Sequence, residues 1–318
     1  MPNPELSILL VNYNTHHLLA EVFASLRQAS LDLQTQIIML DNASTDDSKY
    51  WLRAHGNEMT LIFNASNVGF GRANNQCLQL ATGRYVLPLN TDAFVAADSL
   101  RKTMAYMDAH PRCGVLGVKL VGRDGTLQPS CRYFPTPWNL FLTRSGFTRF
   151  FKRVRLVDDM DWDHASPRQC DWVPGCYYLI RREVIEQVGL FDPRYFLYYE
   201  EIDHCFAAKK AGWEVHYFHD TTVVHIGGES AKSEGAITAS GRQIEAFQIE
   251  SELLYFRKNH GLGSVWLDVV LTTLADVILF KKRVLRWQRP FEFGTYAKHA
   301  ALMWQSLIDT HWGTRPTR

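Results

Sequence analysis

The stretch that decides the fold runs from Leu6 to Asn42 and reads LSILLVNYNTHHLLAEVFASLRQASLDLQTQIIMLDN. It opens with an apolar run of strand length, continues with apolar residues that recur every three or four positions, and closes with a second apolar run at 36–40. This spacing predicts a strand, an amphipathic helix and a second strand. Directly afterwards, Ser44 and Asp47 have the spacing of a capping box, which predicts that the next helix starts there.

The alternation of strand and helix continues in the following segment. We predict a third strand at 59–64, a helix at 72–82 that ends at Gly83, and a fourth strand at 84–89. Successive strands that are joined through helices favour a parallel sheet with helices on both faces. Because Pro88 lies inside the fourth strand and removes a ladder hydrogen bond, we expect that strand to kink or to be unpaired on one side there.

The second half of the chain combines further strands with a helical end. Its predicted elements are a hairpin around Arg123–Gly125, a strand at 176–180, a helix at 201–210, strands at 213–217 and 222–226, a loop or lid at 227–241, and helices at 242–260, 265–287 and 291–310. A soft boundary near residue 240 divides the chain into a domain at 1–240, with halves at 1–115 and 116–240, and a helical extension at 241–318.

The composition is typical of a globular protein of a reducing compartment. With 318 residues, 46% of them apolar and 21% charged, the chain can bury a full core. The net charge of +1 provides no global field that would attract nucleic acid, so we expect no nucleic-acid partner. The 6 cysteines include no C-x-x-C pair, which favours a cytoplasmic location.

No segment predicts a signal peptide or a membrane-spanning helix. The first residues lack the basic and apolar regions of a signal peptide. The run from Val265 to Phe280 is interrupted by Asp268 and Asp276, and it is shorter than the roughly 20 residues that span a bilayer. We therefore expect a chain that does not cross a membrane.

Polar side chains follow each of the first four predicted strands. They are Asn12 to Asn14, Asp41 and Asn42, Asn64 to Gly71, and Asn90 to Asp92. Because the ligand crevice of a parallel sheet lies beyond the carboxyl ends of its strands, this pattern predicts a binding site along one edge. The same residue types are common in turns, so a structural role is the alternative for any single one.

Several acids and one histidine would suit a metal-bound diphosphate. Asp92 offers a hard oxygen ligand for Mg²⁺ or Mn²⁺, and His225, at the end of a late strand, could complete the metal shell. Asp41 could accept a hydrogen bond from the imide of a uracil or thymine base. Glu201, in the acid run 198–203, could act as general base toward a hydroxyl group. Acids are also favoured in the first turn of a helix, so a solvated helix start is the alternative for this run.

These residues belong to an ordered set of motifs that resembles family 2 glycosyltransferases of the GT-A fold, and especially their rhamnosyltransferase-like branch. The matching stretches are Ser7–Asn14, Asp41–Asp46, Asn67–Asn75, Leu89–Asp92, Asp171–Cys176, Val188–Asp192, Tyr198–Asp203 and Val223–His225. The fold that this resemblance implies is α/β, a mostly parallel sheet flanked by helices, with a C-terminal helical extension. In two places the chain departs from the usual pattern: Asn90–Thr91–Asp92 replaces Asn-Pro-Asp, and Val173–Gly175 differs in the acceptor region.

The resemblance also implies roles for individual residues. The nucleotide-sugar-binding residues would be Asn12, Asp41, Asn67, Arg72 and Asp92, with Asp41 on the base. The acceptor-binding residues would be Trp172, Gly175 and Glu200. Asp92 and His225 would hold the Mg²⁺ or Mn²⁺ ion, and Glu201 would be the catalytic base. For Glu200 and Asp203, helix capping and acceptor binding both remain open.

The implied activity is an inverting, metal-dependent hexosyl transfer in bacterial cell-envelope polysaccharide synthesis. The donor would be a dTDP- or UDP-sugar, with rhamnose as one candidate sugar, and the acceptor a saccharide or a polyprenyl-diphosphate-linked sugar. One alternative is a sugar-1-phosphate nucleotidyltransferase, against which the absence of an N-terminal G-x-G-[ST]-R loop counts. Another is a non-catalytic binding subunit with the same fold, although a decayed site should have lost its acids.

Two segments combine basic and aromatic residues, at 144–155 and at 281–289. The second follows an apolar helical face formed by Leu267, Val270, Leu271, Leu274, Ile278 and Leu279. This pattern is typical of a helix that lies in an anionic membrane surface, which would make the protein peripheral on the inner face of the cell membrane. A helix packed on the protein with a solvated basic end is the alternative.

Overall fold

The computed structural model describes residues 4–227, 242–285 and 293–318. Its strands are β1 Leu6–Asn12, β2 Thr35–Asp41, β3 Thr60–Phe63, β4 Tyr85–Asn90, β5 Ala93–Val95, β6 Cys113–Val121, β7 Leu127–Gln128, β8 Arg168–Cys170, β9 Leu179–Arg181 and β10 Glu214–His225. Its α-helices are α1 His16–Ala29, α2 Ser48–His55, α3 Phe70–Leu78, α4 Ser99–Ala109, α5 Pro137–Ser145, α6 Arg182–Val188, α7 Glu200–Lys210, α8 Arg242–His260, α9 Leu262–Leu285 and α10 Phe293–Asp309. The loop predicted at 227–241 lies, apart from its first residue, outside the described residues, as do residues 286–289 of the second basic segment.

The strands form one mixed sheet in the order β3-β2-β1-β4-β9-β6-β10-β5, with β7 paired to β6 and β8 paired to β10. Strands β3, β2, β1 and β4 run parallel, in a register that sets Asn12 opposite Asp41. Antiparallel pairs enter in the second half, where β9 pairs with β4 and β6 and where β5 pairs with β10. The predicted sheet with helices on its faces is therefore confirmed.

The core lies between this sheet and the first helices. Strand β1 is buried along its whole length, which explains why its sequence is continuously apolar instead of alternating. Ile8 and Leu10 of β1 share one core cluster with Leu19 and Val22 of α1. Burying each such side chain contributes about 1.5–3 kcal/mol.

The irregularity that Pro88 predicts is present in β4. Regular pairing of β4 with β9 covers only Tyr85 and Val86, and the carbonyl of Pro88 accepts a separate hydrogen bond from Tyr178 N at 3.2 Å. On its other side, Pro88 stays in register with β1. Strand β9 accordingly covers only the end of the strand predicted at 176–180.

The predicted capping box is wrong. Helix α2 begins at Ser48, and Asp47 makes no side-chain cap hydrogen bond. The hydroxyl of Ser44 instead accepts hydrogen bonds from Asn12 Nδ2 and from Asn14 N, each at 2.9 Å. Side chains of this type bond to whichever backbone or side-chain group the fold brings near, and here the end of β1 is nearer than the helix.

Two other predicted boundaries differ from the structure. Helix α3 ends well before Gly83, in contrast to the prediction of 72–82, and a Cβ atom at Gly83 would lie 2.5 Å from the backbone nitrogen of Ser7. The glycine therefore allows a close passage of β1 and does not end the helix. The strands predicted at 213–217 and 222–226 are one strand, β10, with a break in register between them.

The described residues divide into two compact units. The first holds the sheet and comprises residues 4–132, 158–196 and 200–227, and the second comprises residues 133–157, 197–199, 242–285 and 293–318. The second unit thus includes α5 and its flanking segment along with the C-terminal helices. The domains predicted at 1–240 and 241–318 do not take this segment into account, and they stay a prediction.

Within the second unit, α9 packs against α5, α8 and α10. By length and composition, α9 is long and apolar enough to cross a membrane. The sequence did not predict this, because the apolar run at 265–280 is shorter than the helix. Its two acids are turned inward, Asp268 at 0% and Asp276 at 2% exposure. Asp276 accepts hydrogen bonds from Arg144 Nη2 at 2.9 Å and from His299 Nδ1 at 2.8 Å, so this charge is paired inside the unit.

Candidate active site

A buried hydrogen-bond network joins the carboxyl ends of β1 and β2. Asn12 Nδ2 donates to Asp41 Oδ1 at 2.8 Å, and Ser44 N donates to Asp41 Oδ2 at 3.0 Å. Asp41 is 0% exposed. A carboxylate has about four lone-pair positions, so each oxygen of Asp41 can still accept a further hydrogen bond. The structure therefore brings Asn12 and Asp41 together, as the strand ends predict.

Thr91, which replaces the proline of the usual Asn-Pro-Asp motif, extends this hydrogen-bond network toward Asp92. Thr15 Oγ1 donates to Asn12 Oδ1 at 2.7 Å, and the hydroxyl of Thr91 lies 2.8 Å from that of Thr15. Since Thr15 uses its proton on Asn12, Thr91 is the donor of the second bond. A proline at position 91 would lack this hydroxyl, so threonine links the ends of β1 and β4 where the usual motif has none.

Asn67 and Arg72 lie around the start of α3. Asn67 Oδ1 accepts hydrogen bonds from Asn42 Nδ2 at 2.7 Å and from Gly69 N at 2.9 Å. Arg72 Nε donates to the carbonyl of Pro193 at 2.7 Å. Asn67 thus joins the strand-end network through Asn42, whereas the hydrogen bond of Arg72 is directed to a different segment.

Asp92 and His225 are brought together by the antiparallel pairing of β5 and β10, which sets His225 opposite Ala93. Asp92 Oδ1 lies 3.6 Å from His225 Nε2, and Asp92 Oδ2 accepts a hydrogen bond from Gly227 N at 3.1 Å. Burial lowers the pKa of His225, although the charge of Asp92 acts in the opposite direction. The pairing of β5 with β10 therefore places the two predicted metal ligands side by side.

The donor atoms of this pair fit a divalent cation. Carboxylate oxygen and neutral imidazole nitrogen are suitable ligands for Mn²⁺, and Mg²⁺ is commonly held by one or two carboxylates together with substrate phosphates. Among the described residues, no group of three or more His, Cys, Asp or Glu side chains could hold a metal ion by itself. Asp92 and His225 are the two described side chains that would hold such an ion.

Glu200 and Glu201 begin α7, and their environments differ. Glu200 is 4% exposed; burial raises its pKa well above the usual range, and the charge of Glu201 raises it further. Burial also raises the pKa of Glu201, but hydrogen bonds from the first turn of α7 and from Gly175 and the charge of Arg132 oppose this. Burial therefore raises both pKa values, and the charge of Arg132 and the hydrogen bond from Gly175 oppose this rise only at Glu201.

The carboxyl group of Glu201 lies beside the predicted acceptor segment. A Cβ atom at Gly175 would lie 3.9 Å from the Cβ of Glu201, whereas Glu200 approaches Gly71 instead. Glu201 Oε2 has no hydrogen-bond partner within the described part of the chain. Cys176, the next residue after Gly175, experiences the charges of both Asp92 and Glu201, which add to the burial that raises its pKa. Asn90 N, at the end of β4, donates to the carbonyl of Cys176 at 3.1 Å, so the predicted acceptor segment lies against the strand end that leads to Asp92.

Trp172 packs against Arg132, a residue that the sequence did not single out. The Arg132 guanidinium lies over the Trp172 ring, 4.1 Å from its centroid, and Arg132 Nε donates to Asp158 Oδ1 at 2.7 Å. Such stacking of a cation on an aromatic face contributes about 0.5–2 kcal/mol. In the sequence, only the basic character of this region indicated that Arg132 could belong to the site.

The residues directly before α7 adopt a conformation that the sequence does not reveal. Tyr198 and Tyr199 have φ angles of 70° and 69°, which non-glycine residues rarely adopt. Each such residue costs about 1–3 kcal/mol, which the surroundings must offset. In the second unit, the Tyr199 hydroxyl donates to Glu252 Oε2 at 2.6 Å, and Ser251 Oγ donates to the carbonyl of Leu197 at 2.9 Å.

The sequence of this site can be compared with known families. The family model described as glycosyl transferase family 2 matches residues 7–189, more than half of the chain. The chain belongs to glycosyltransferase family 2. Membership confirms the activity class that the motifs predict, and it does not favour a nucleotidyltransferase or a non-catalytic subunit.

Two curated relatives place the chain in the rhamnosyltransferase-like branch. It is 28% identical over 254 residues to an N-acetylglucosaminyl-diphospho-decaprenol L-rhamnosyltransferase of Mycobacterium tuberculosis, covering 74% of this chain and 79% of that protein. It is 23% identical over 210 residues to the rhamnosyltransferase WbbL of Escherichia coli, covering 59% and 76%. The predicted branch is confirmed.

Solved structures confirm the GT-A fold. A mannosyltransferase of Pyrobaculum calidifontis, solved with GDP-Man and Mn²⁺, superposes with a TM-score of 0.56 at 16% identity, over 98% of this chain and 88% of that one. The Staphylococcus aureus protein TarS, residues 1–349, superposes with a TM-score of 0.51 at 15% identity, over 98% and 92%. At such identities the likeness concerns the fold alone.

Proposed function

We propose that this glycosyltransferase transfers a sugar, with inversion, from a nucleoside-diphosphate sugar to a hydroxyl group of a saccharide or lipid-linked acceptor in cell-envelope polysaccharide synthesis. The observation that carries the proposal is the largely buried pair of Asp92 and His225, whose Oδ1 and Nε2 atoms lie 3.6 Å apart. Rhamnose on a dTDP carrier is the first donor to test, because both named relatives are rhamnosyltransferases.

For the donor, we assign the base to the strand-end network. Asp41 would accept the imide proton with a lone pair that Asn12 and Ser44 leave available. Because a buried, oriented carboxylate discriminates strongly between hydrogen-bond donors and acceptors, uracil and thymine fit this position better than cytosine. Asn67 and Arg72, at the start of α3, complete the proposed nucleotide-sugar site.

For the diphosphate, we assign the divalent cation to Asp92 and His225. Bound there, Mg²⁺ or Mn²⁺ would supply positive charge against which the leaving diphosphate develops its negative charge. Asp92 keeps its second oxygen oriented through Gly227 N, and His225 presents Nε2 to the same space. The Mn²⁺ in the Pyrobaculum structure supports a divalent cation in this fold.

For the acceptor, we assign proton removal to Glu201 and recognition to Trp172, Gly175 and Glu200. Glu201 Oε2 would take the proton of the acceptor hydroxyl as its oxygen attacks the anomeric carbon. A single displacement of this kind inverts the anomeric configuration. Arg132, stacked on Trp172, would help to orient an acceptor sugar beside Glu201.

The test is a donor screen with purified protein. Each of a panel of dTDP-, UDP- and GDP-sugars is incubated with Mg²⁺ or Mn²⁺ and bacterial lipid extract, and products are identified by mass spectrometry and their anomeric configuration by NMR. We expect transfer that is abolished by EDTA, by Asp92→Asn and by Glu201→Gln, whereas the matched variant Asp309→Asn retains it. Transfer that survives EDTA and both variants would refute the assignment.

We further propose that the protein is cytoplasmic and lies on the inner membrane surface through α9. Each exposed residue between Leu262 and Phe280 is apolar or glycine, and the large ones are Leu262, Trp266, Leu267, Val270, Leu274 and Val277. Lys281 is exposed directly after this face. Trp266 lies 5.9 Å from Trp304 and 5.0 Å from Trp312, measured between ring centroids, and indole rings favour the bilayer interface.

Both sequence interpretations of this helix find support in the second unit. Leu271 and Ile278 pack against the cluster of Phe141, Leu142 and Ala275, while the opposite face of α9 stays exposed. A helix whose exposed face is apolar while its acids are turned inward fits an interface position. We expect cosedimentation with vesicles that contain anionic lipid, reduced severalfold in Leu267→Glu with Leu274→Glu. The control Leu31→Glu, an exposed leucine of the first unit, should bind like wild type, and equal binding of all three would refute the surface.

A further inference from the structure

The side chain of Gln128, in the short strand β7, contacts His225 at two points. Gln128 Nε2 lies 2.8 Å from the carbonyl oxygen of His225, and Gln128 Oε1 lies 3.0 Å from His225 Nδ1. The two residues are 97 positions apart along the chain, and they come together because β6 pairs with both β7 and the end of β10 in the sheet.

These two contacts fix the orientation of the amide. The carbonyl oxygen of His225 can only accept a hydrogen bond, so the amide nitrogen of Gln128 must point to it. The amide oxygen then points to the imidazole ring. Because that oxygen can only accept, His225 Nδ1 must carry a proton, and a neutral His225 has its lone pair on Nε2.

That lone pair faces an acid. His225 Nε2 lies 3.6 Å from Asp92 Oδ1, and both side chains are largely buried. In this tautomer neither of the two facing atoms bears a proton, so a cation between them would satisfy both. The opposite tautomer would place a proton on Nε2 and block this position.

We propose that Gln128 is a positioning residue that holds His225 in the Nδ1–H tautomer, with Nε2 directed at the divalent cation. The inference rests on the metal site of the proposed function and assigns a further residue to it. Partners that orient ligating histidines in this way typically change metal affinity by 10–100-fold when they are removed.

A first experiment measures the tautomer without metal. Protein labelled with ¹⁵N-histidine is examined at pH 8 by two-bond ¹H–¹⁵N correlation, and the His225 signals are identified by their loss in His225→Gln. We expect the Nδ1–H tautomer in wild type and a substantial shift toward Nε2–H in Gln128→Leu. Wild-type His225 in the Nε2–H form, or an unchanged tautomer in Gln128→Leu, would overturn the inference whatever the protein binds.

A second experiment measures Mn²⁺ affinity by electron paramagnetic resonance in the presence of dTDP or UDP. We expect binding about 10–100-fold weaker in Gln128→Leu. Gln128→Glu keeps an acceptor for Nδ1–H but loses the donor to the His225 carbonyl, so it should bind Mn²⁺ more tightly than Gln128→Leu. Gln169→Leu makes the same substitution on β8, where the side chain is exposed, and should bind like wild type.

The outcomes separate the two proposals. If wild type binds no Mn²⁺ with either nucleotide, the metal-dependent function itself is refuted. If wild type binds and Gln128→Leu binds equally well, only the role of Gln128 is overturned. Thermal unfolding of all variants checks that weaker binding in Gln128→Leu does not reflect loss of the β6–β7 hairpin.

Discussion

The adjacent acids Glu200 and Glu201 allow a sharp test of which one is the base. Glutamine has the shape of a protonated glutamic acid but cannot accept a proton. Burial and the charge of Glu201 raise the pKa of Glu200 well above its usual range, so we expect Glu200→Gln to change the charge at its position less than Glu201→Gln does. Glu201→Gln removes the proposed proton acceptor, whose Oε2, like that of Glu200, has no hydrogen-bond partner among the described residues.

The expected magnitudes differ by orders of magnitude. Loss of a general base lowers kcat by about 10²–10⁴-fold, equivalent to about 3–5 kcal/mol of transition-state stabilisation. Loss of the remaining hydrogen-bonding capacity of Glu200 costs about 1 kcal/mol, so Glu200→Gln should lower kcat/KM less than about tenfold. Release of nucleoside diphosphate in the presence of acceptor, measured by chromatography, gives both constants.

The pH profile provides a second readout. If Glu201 is the general base, activity requires its ionised form. Because burial raises its pKa, the loss of kcat/KM on acidification should then begin at a pH above about 4.3, the ordinary pKa of glutamic acid. Glu200→Gln should leave this acidic limb largely in place. Equal losses in the two variants, or a larger loss in Glu200→Gln, would refute the assignment of Glu201, and unchanged donor affinity in calorimetry excludes misfolding as the cause.

Three further predictions concern stability, measured by urea unfolding. Gly69→Ala should lower the free energy of unfolding by about 2–4 kcal/mol, because residue 69 has a φ of +87° and the new Cβ atom would lie 2.4 Å from the carbonyl oxygen of Phe196. The control Gly125→Ala has a φ of +79° but open space around it, so it should cost only about 1–2 kcal/mol. Equal costs in the two variants would exclude the steric contact. Asp276→Asn should cost about 2–4 kcal/mol, since Arg144 and His299 lose a charged partner, and a neutral outcome would contradict that pairing. Asp268→Asn should instead change how the free energy of unfolding depends on pH. Burial and the charge of Glu252 raise the pKa of Asp268 in the folded state. Protonated Asp268 therefore stabilises the fold fully below the pKa of the unfolded state, and this stabilisation is lost as pH rises through the pKa of the folded state. The free energy of unfolding then falls by up to about 1.4 kcal/mol per pH unit for this one proton. The variant should flatten this decline at pH values above the ordinary pKa of aspartic acid, near 3.9, and an unchanged slope would show that Asp268 does not take up the proton.

The sequence predicted those parts of the fold that depend on local periodicity. Strand β1 and helix α1 follow from their apolar spacing, and the parallel order of the first four strands follows from their alternation with helices. The polar strand ends met as expected because parallel strands share one edge, which brings Asn12 opposite Asp41.

Contacts between distant segments could not be read from periodicity. Strand β5 has only 3 residues, so nothing local indicated that it would pair with β10 and set Asp92 beside His225; that role came from the family resemblance. The orientation of Gln128 depends on the pairing of β6 with both β7 and β10, which joins segments that are far apart in the sequence. Backbone angles such as those of Tyr198 are imposed by tertiary contacts, which a single sequence does not display.

The pairing of β5 with β10 also has a consequence for the order in which the protein folds. Asp92 and Gly227 are hydrogen-bonded across 135 positions of chain, whereas Asn12 and Asp41 are separated by only 29. Closing the longer loop carries the larger entropic cost, and contacts of high sequence separation tend to form slowly. We therefore expect the nucleotide network to form early during synthesis on the ribosome, and the cation site only after β10 has emerged. If the proposed roles hold, a nascent chain would be able to contact the nucleotide before its cation site is complete.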